Sequence, residues 1–337
     1  MIPEQPTEEK QEMEEKEKPK SKKSFLPIIL FLVLLVVGLG LGPIGADFFP
    51  FQLPENLRVP RPHIKLPAEE IAHVSGFSIT NTLIASWLTI VVLAVLFYFS
   101  TRKMKLVPGR LQALAEVVVE GLLGFVEGVA GKQHARLLFP GIATIFLYVI
   151  TNAYMALLPI FGTIGFLGHG HGHEVEFVAF LRAANTDINL PLSIALMSFI
   201  FVETWGMKVV GFFHYTGEFV NVSQFGQGLK QLFTGKLREA PLNIVFGFIN
   251  MFVGILEIFS HLTRMLSFTF RLFGNMTAGE ILVLVSCFLI PMVFTIPFYG
   301  LELLIGLIQA LIFSGLTLVF GTVAISSAHE ESEQKHH

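Results

Sequence analysis

The sequence predicts an all-α polytopic membrane protein: one helix lies on the bilayer, the last two form a long tilted hairpin, and an extra transmembrane helix stands at the N-terminus. Three observations predict it. Of the 337 residues, 53% are hydrophobic and only 15% are charged, whereas soluble domains run near a quarter charged. The apolar residues fall in runs near or beyond the roughly 20 residues that cross a hydrocarbon layer as helix, too long for a soluble core to absorb. The single Cys287 lies inside such a run, so it reads as a small buried side chain and excludes an internal disulfide framework. Basic residues are scattered over short loops and balanced by acids to a net charge of -3, which argues against a nucleic-acid partner.

The elements follow in chain order. Residues 1–24 hold seven Glu and six Lys with almost nothing apolar, so they read as a disordered cytoplasmic tail. The basic stretch Lys18 to Lys23 abuts an apolar run of 18 residues, Phe25 to Gly42. A signal anchor with its N-terminus inside fits that pairing; a cleaved signal peptide is the competing reading, given the Gly38-rich end followed by Pro43 and Ala46. Residues 43–76 carry six prolines and read as an extended outer loop. The run 77–100 ends in Thr101-Arg102-Lys103-Met104-Lys105, which places that end inside. In 111–130, Leu111, Leu114, Val118, Leu122, Phe125 and Val129 recur at helical spacing with Glu116, Glu120 and Glu127 off the stripe. That pattern predicts a helix lying along the interface.

Leu137 to Phe161 then crosses outward. The 162–187 outer loop contains His169, His171, His173 and Glu174; they alternate with glycine and have no second ligand cluster, so they read as a solvated loop and no metal site is expected. Ile188 to Gly211 returns inward, and the loop 212–240 carries Lys230, Lys236 and Arg238, again basic inside. An apolar stretch of about 50 residues runs from Pro241 to Ile290, before Pro291, Pro297 and a last run to Ser327. Since about 20 residues suffice to cross, the first of these must tilt, break or extend outside the hydrocarbon. Six crossings, or five if the first run is removed, leave the acidic tail 329–337 inside.

Inside the hairpin lie Glu257, His261, Arg264, Arg271, Glu280 and Glu302. A charge at the bilayer centre costs roughly 2.5–3.5 kcal/mol on insertion scales, so an intramembrane ion defaults to a functional hypothesis. Glu257, Arg264 and Arg271 are spaced by sevens and share one helical face, since each step of seven drifts only about 20°. His261 and Asn275 join that face by spacings of four, giving a polar seam along about 27 Å of helix. Glu280 stands about 180° from Arg271 and about 13 Å further along, so the two cannot pair side by side. Glu280 is instead expected to face the final helix, where Glu302 and Gln309 share a face. Carboxylates, amides and water can relay protons, whereas a guanidinium stays charged.

The segment Arg271-Leu272-Phe273-Gly274-Asn275-Met276-Thr277-Ala278-Gly279-Glu280, with Gln309-Ala310 ahead of an apolar run, resembles the signatures of subunit a of the rotary F-type ATP synthase. Asn152 with Leu157-Leu158-Pro159, and Asp187-Ile188-Asn189, are further matches, and the likeness covers 77–328. The resemblance implies five family helices, with the N-terminal helix outside the family pattern. It implies that Arg271 is the stator arginine facing the ion-binding carboxylate of a rotor c-ring. It further implies that Asn275, Glu280, Glu302 and Gln309 line an outer half-channel and that Glu257 serves an inner one. Implied partners are the c-ring, the peripheral-stalk subunit b, the rest of the complex and the lipid of a bacterial inner membrane, with no cofactor and no catalysis by the chain alone. The chain departs from the family at Glu302, where His is frequent, and at Ala156, where an acid often precedes Leu-Leu-Pro.

Plainer roles stand beside these. Glu257 could be held by Arg264 or His261, Arg264 marks the inner interface, Asp187 caps the following helix, and either a structural partner or a channel role fits Glu203. An autonomous ion channel or secondary transporter would use the same charges but should show internal repeats. An intramembrane hydrolase is disfavoured because Ser260 and His261 diverge on a helix and no H-E-x-x-H occurs.

Overall fold

The computed structural model describes residues 25–43, 67–169 except 75, 175–211, and 240–334 except 292. The charged N-terminal tail, most of the proline-rich loop, the His171 to Glu174 stretch and the basic loop 212–239 lie outside the described residues.

Helices dominate, as the composition requires. Helix α1, Leu26–Leu41, starts with a proline in its first turn, where the missing N–H would have no intrahelical acceptor. Strands β1, Glu70–Val74, and β2, Phe77–Thr80, form an antiparallel hairpin. Thr80 then caps α2, Asn81–Thr101, its Oγ1 accepting from the Leu83 N–H at 3.3 Å. Helix α3, Arg110–Ala156, is interrupted at Gly131, whose φ of 73° and ψ of 159° no helix contains. Strands β3, Gly165–His169, and β4, Val175–Ala179, make a second antiparallel hairpin. A 3-10 turn, Ala184–Thr186, leads into α4, Asn189–Val210. Two long helices follow: α5, Ala240–Leu289, and α6, Thr295–Gln334.

Four helices are long and apolar enough to cross a membrane, within Asn81–Thr101, Asn189–Lys208, Gly247–Leu289 and Thr295–Ile325, and α1 is a shorter apolar helix. The chain is an all-helical, multi-pass membrane protein whose connections carry two small hairpins. The strand pairs depart from the loops expected: β1, at the end of the 43–76 segment, pairs with β2 just beyond it, and β3 and β4 pair within 162–187. Strand pairing satisfies backbone N–H and C=O groups that would otherwise need water or side chains.

The 111–130 helix presents two apolar faces. The face turned to the bundle is Ala115, Leu122, Val126 and Ala130, while Leu111, Leu114 and Val129 are exposed. The glycine break at 131 supplies the change of direction that the sequence pattern required between this helix and the next. Helix α5 meets the 50-residue puzzle by remaining a single helix, about 75 Å long at about 1.5 Å per residue. Tilt or extension beyond the hydrocarbon accommodates such a length, and breakage does not occur.

The described residues fall into two compact units, α1 with Val285–Ile296 and the remainder from Pro67 onward. In the larger unit, Phe146, Val149, Phe268, Leu272, Met276 and Phe313 form one apolar core where α3, α5 and α6 meet. A second core gathers Val126, Leu138, Ile142, Trp205, Leu318 and Ile325. Polar ties cross between these helices: Ser86 with Tyr148 at 2.7 Å, Asn152 Nδ2 donating to Thr89 Oγ1 at 3.3 Å, and Ser198 with Thr317 at 2.7 Å. Hydroxyl and amide bonds of this kind hold helices together where lipid removes the hydrophobic contrast.

Candidate functional site: a polar seam around Arg271

Arg271 sits on α5 between two sets of polar groups. Its guanidinium is partly exposed, and no hydrogen bond or ion pair joins it to another described residue. The preceding residue Phe270 is exposed, as are Phe259, Leu262 and Leu266 on the N-terminal side. An apolar, outward-looking surface thus flanks a fixed positive charge.

On the C-terminal side of Arg271, the first polar contact lies four residues on. Asn275 Nδ2 donates to Gln309 Oε1 at 2.8 Å, tying α5 to α6. Gln309 is 2% exposed, and its Nε2 has no partner. Glu302, seven residues earlier on α6, is also buried with Oε2 unpartnered. Gly279 is what allows this closeness: a Cβ built there would collide with the Glu302 carboxylate. The pairing of Glu302 and Gln309 with α5 follows the expected face, although Gly279, rather than Glu280, meets Glu302.

Glu280 bonds elsewhere. Arg182 Nε donates to Glu280 Oε1 at 3.2 Å and Arg182 Nη2 donates to Oε2 at 3.1 Å, a bidentate fork on a partly buried pair. The same guanidinium donates from Nη1 to the Pro67 carbonyl at 3.0 Å. Arg182 was legible only as a cation in an outer loop; its signal was position, directly after the apolar Phe177–Leu181 stretch and five residues before Asp187.

Asp187 stands one residue before Ile188, the N-cap of α4, which has no side-chain cap; its carboxylate accepts from the Asn189 N–H at 3.1 Å and from Thr82 Oγ1 at 3.0 Å. Two clefts of about 460 and 520 Å³ share Thr80, Asp187 and Asn189 in their walls. The larger also reaches Pro67, Glu70 and Phe273, so open space lies beside the backbone that Arg182 grips.

On the N-terminal side of Arg271, the seam pairs outward from α5 rather than along it. His261 Nδ1 lies 3.5 Å from Glu203 Oε1 on α4, which gives Glu203 a partner. The Arg264 guanidinium stacks 3.7 Å from the Phe320 ring centroid on α6, a cation–π contact. Glu257 is partly exposed. A cavity of about 20 Å³ lined by Ser198, His261 and Arg264 has room for about one water. Among the described residues no cluster of three or more His, Cys, Asp or Glu could hold a metal ion.

Comparison with known proteins places the sequence in a family. The sequence matches the family described as ATP synthase A chain over residues 83–322. Similar relatives include ATP synthase subunit a of Trichlorobacter lovleyi, 28% identical over 77% of this chain and 94% of the relative. The protein of the same name from Gloeobacter violaceus is 31% identical over 76% of this chain and 86% of its own length. That from Campylobacter curvus is 31% identical over 71% and 88% respectively. The matched span contains every polar group of the seam, from Arg182 to Gln309, and the chain belongs to the ATP synthase A chain family.

Proposed function

We propose that the chain is the stator proton-channel subunit of an F-type ATP synthase in a bacterial inner membrane. It works with a c-ring, a peripheral-stalk subunit b and the rest of the complex. The observation that carries the reading is an Arg271 guanidinium on α5 left without a hydrogen bond or ion pair among the described residues, between two separate polar sets. Glu280, Glu302, Asn275 and Gln309 form the set on one side and line the outer half-channel; Glu257 serves the inner one.

The chemistry is electrostatic. A ring carboxylate that reaches Arg271 is stabilised as an anion by the fixed positive charge and releases its proton to one aqueous path. Moving on, it takes a proton from the other path and re-enters lipid neutral, where a charge would be costly. A proton falling through the membrane potential supplies about 2.3 kcal/mol per 100 mV, which becomes torque only if the two paths never join. A guanidinium, always charged, keeps them apart because it cannot pass a proton on.

Arg271→Ala tests this. In membrane vesicles carrying the assembled complex, ATP synthesis driven by a proton gradient is expected to fall to background, with passive leak unchanged or raised. ATP-driven acidification at the wild-type rate would rule the assignment out. An autonomous channel would conduct when the purified chain alone is reconstituted.

A further inference from the structure

We infer that Arg182 is a positioning residue of the outer proton path: it holds the Glu280 carboxylate in place and anchors it to the outer backbone at Pro67. The inference rests on the function proposed above. It adds a residue from outside α5 and α6, the helices that carry Asn275, Glu280, Glu302 and Gln309.

Geometry carries it. Glu280 projects from a helix, and a glutamate has three rotatable bonds, so nothing on α5 alone fixes where its oxygens lie. Arg182 fixes both. Its Nε lies 3.2 Å from Oε1 and 3.4 Å from Oε2, and Nη2 lies 3.1 Å from Oε2. The remaining arm, Nη1, is held at 3.0 Å by the Pro67 carbonyl, so the fork is itself oriented before it meets the carboxylate. The two side chains are 12% and 27% exposed, and the Pro67 that the fork grips through its carbonyl lines the cleft with Glu70, Asp187 and Phe273. Phe273 and Glu280 are seven residues apart on α5 and therefore share a face. The cleft wall and the carboxylate thus point the same way. Other acids nearby are placed by other means: Asp187 by Thr82 and Asn189, and Glu302 by its packing against Gly279.

A lysine would keep the charge but lose the planar two-point grip. An arginine that only glued the loop to α5 would affect how much complex assembles; one that positions Glu280 affects the rate of each assembled complex. The experiment therefore measures proton flow per assembled complex in vesicles, with complex quantified by immunoblot. Arg182→Ala is expected to slow flow about tenfold, as for loss of a charged hydrogen bond. Arg182→Lys is expected to recover part of that loss. Guanidinium chloride at a non-denaturing concentration is expected to raise the Arg182→Ala rate several-fold where equal sodium chloride does not, because the small cation can occupy the vacated fork site after assembly.

Wild-type flow per complex in Arg182→Ala overturns the inference, as does a slow Arg182→Ala whose rate neither guanidinium nor lysine improves. Should Arg182→Ala fail to assemble, Arg182→Lys decides: a rate below wild type in normally assembled complex supports positioning, and a wild-type rate overturns it. Arg271→Ala runs alongside. If it too pumps at the wild-type rate, the channel reading has failed; if it is dead while Arg182 variants are normal, only the role of Arg182 has failed.

Discussion

At the scale of single residues, the seam is built from side chains whose positions depend on what a neighbour lacks. Gly279 lacks a Cβ, and the Glu302 carboxylate occupies the space where one would stand. The obstacle to a larger residue is the far end of a flexible side chain, so Gly279→Ala should leave the fold intact and displace Glu302 alone. Proton flow per complex is then expected to fall on the order of tenfold, because misplacement of a reacting group by about an ångström is costly, while assembly stays normal. Unchanged flow would show that Glu302 is not on the path. The Asn275 to Gln309 bond makes a complementary case. Asn275→Leu removes the donor to a buried amide oxygen, and a loss of about 1 kcal/mol is expected from measured interhelical hydrogen bonds. A lowered detergent-unfolding midpoint would register it.

At the scale of elements, close approach again decides. In the smaller unit, α1 presents Gly38 and Gly42 to the carbonyls of Pro291 and Leu289, where a Cβ on either glycine would collide with backbone oxygen. Gly40, between them, faces open space. Backbone cannot yield as a side-chain tip can. Gly38→Leu is therefore expected to cost about 1–3 kcal/mol by overpacking, seen as a lower unfolding midpoint, and Gly40→Leu to be near neutral. Equal effects would mean that α1 does not dock through this face. The same elements show what the sequence could and could not reveal. The apolar runs located every long helix, because length and hydropathy are local properties. The break at Gly131 was bracketed by a change of pattern but not located, since a glycine inside a helical run looks the same whether its φ is negative or positive. The two hairpins were missed because their pairing partners lie across turns in segments whose composition reads as loop.

At the scale of the molecule, helices in the larger unit are joined by polar pairs laid over two apolar cores. Single residues pointed to the seam, because a charge in an apolar run is conspicuous, and spacing paired Glu302 and Gln309 with α5, but the partners of Glu203 and Glu280 were invisible. Glu203 and His261 lie on different helices, and their 3.5 Å approach is a tertiary fact that no spacing within α5 encodes; the same holds for Arg182 and Glu280. The pair also offers a test of how the bundle is held. Its side chains are 14% and 15% exposed, so removing one member takes a polar contact from the other in a place with little water. His261→Leu is expected to destabilise the bundle by about 1 kcal/mol, the scale of a polar contact between membrane helices. Adding Glu203→Leu should restore most of that loss, since two apolar side chains in lipid surroundings leave nothing unpaired. Helical circular dichroism through a detergent-unfolding series measures all three variants. Additive losses would mean the two residues act independently and that α4 and α5 are held by apolar packing alone. Strong coupling would make the pair a structural tie between α4 and α5.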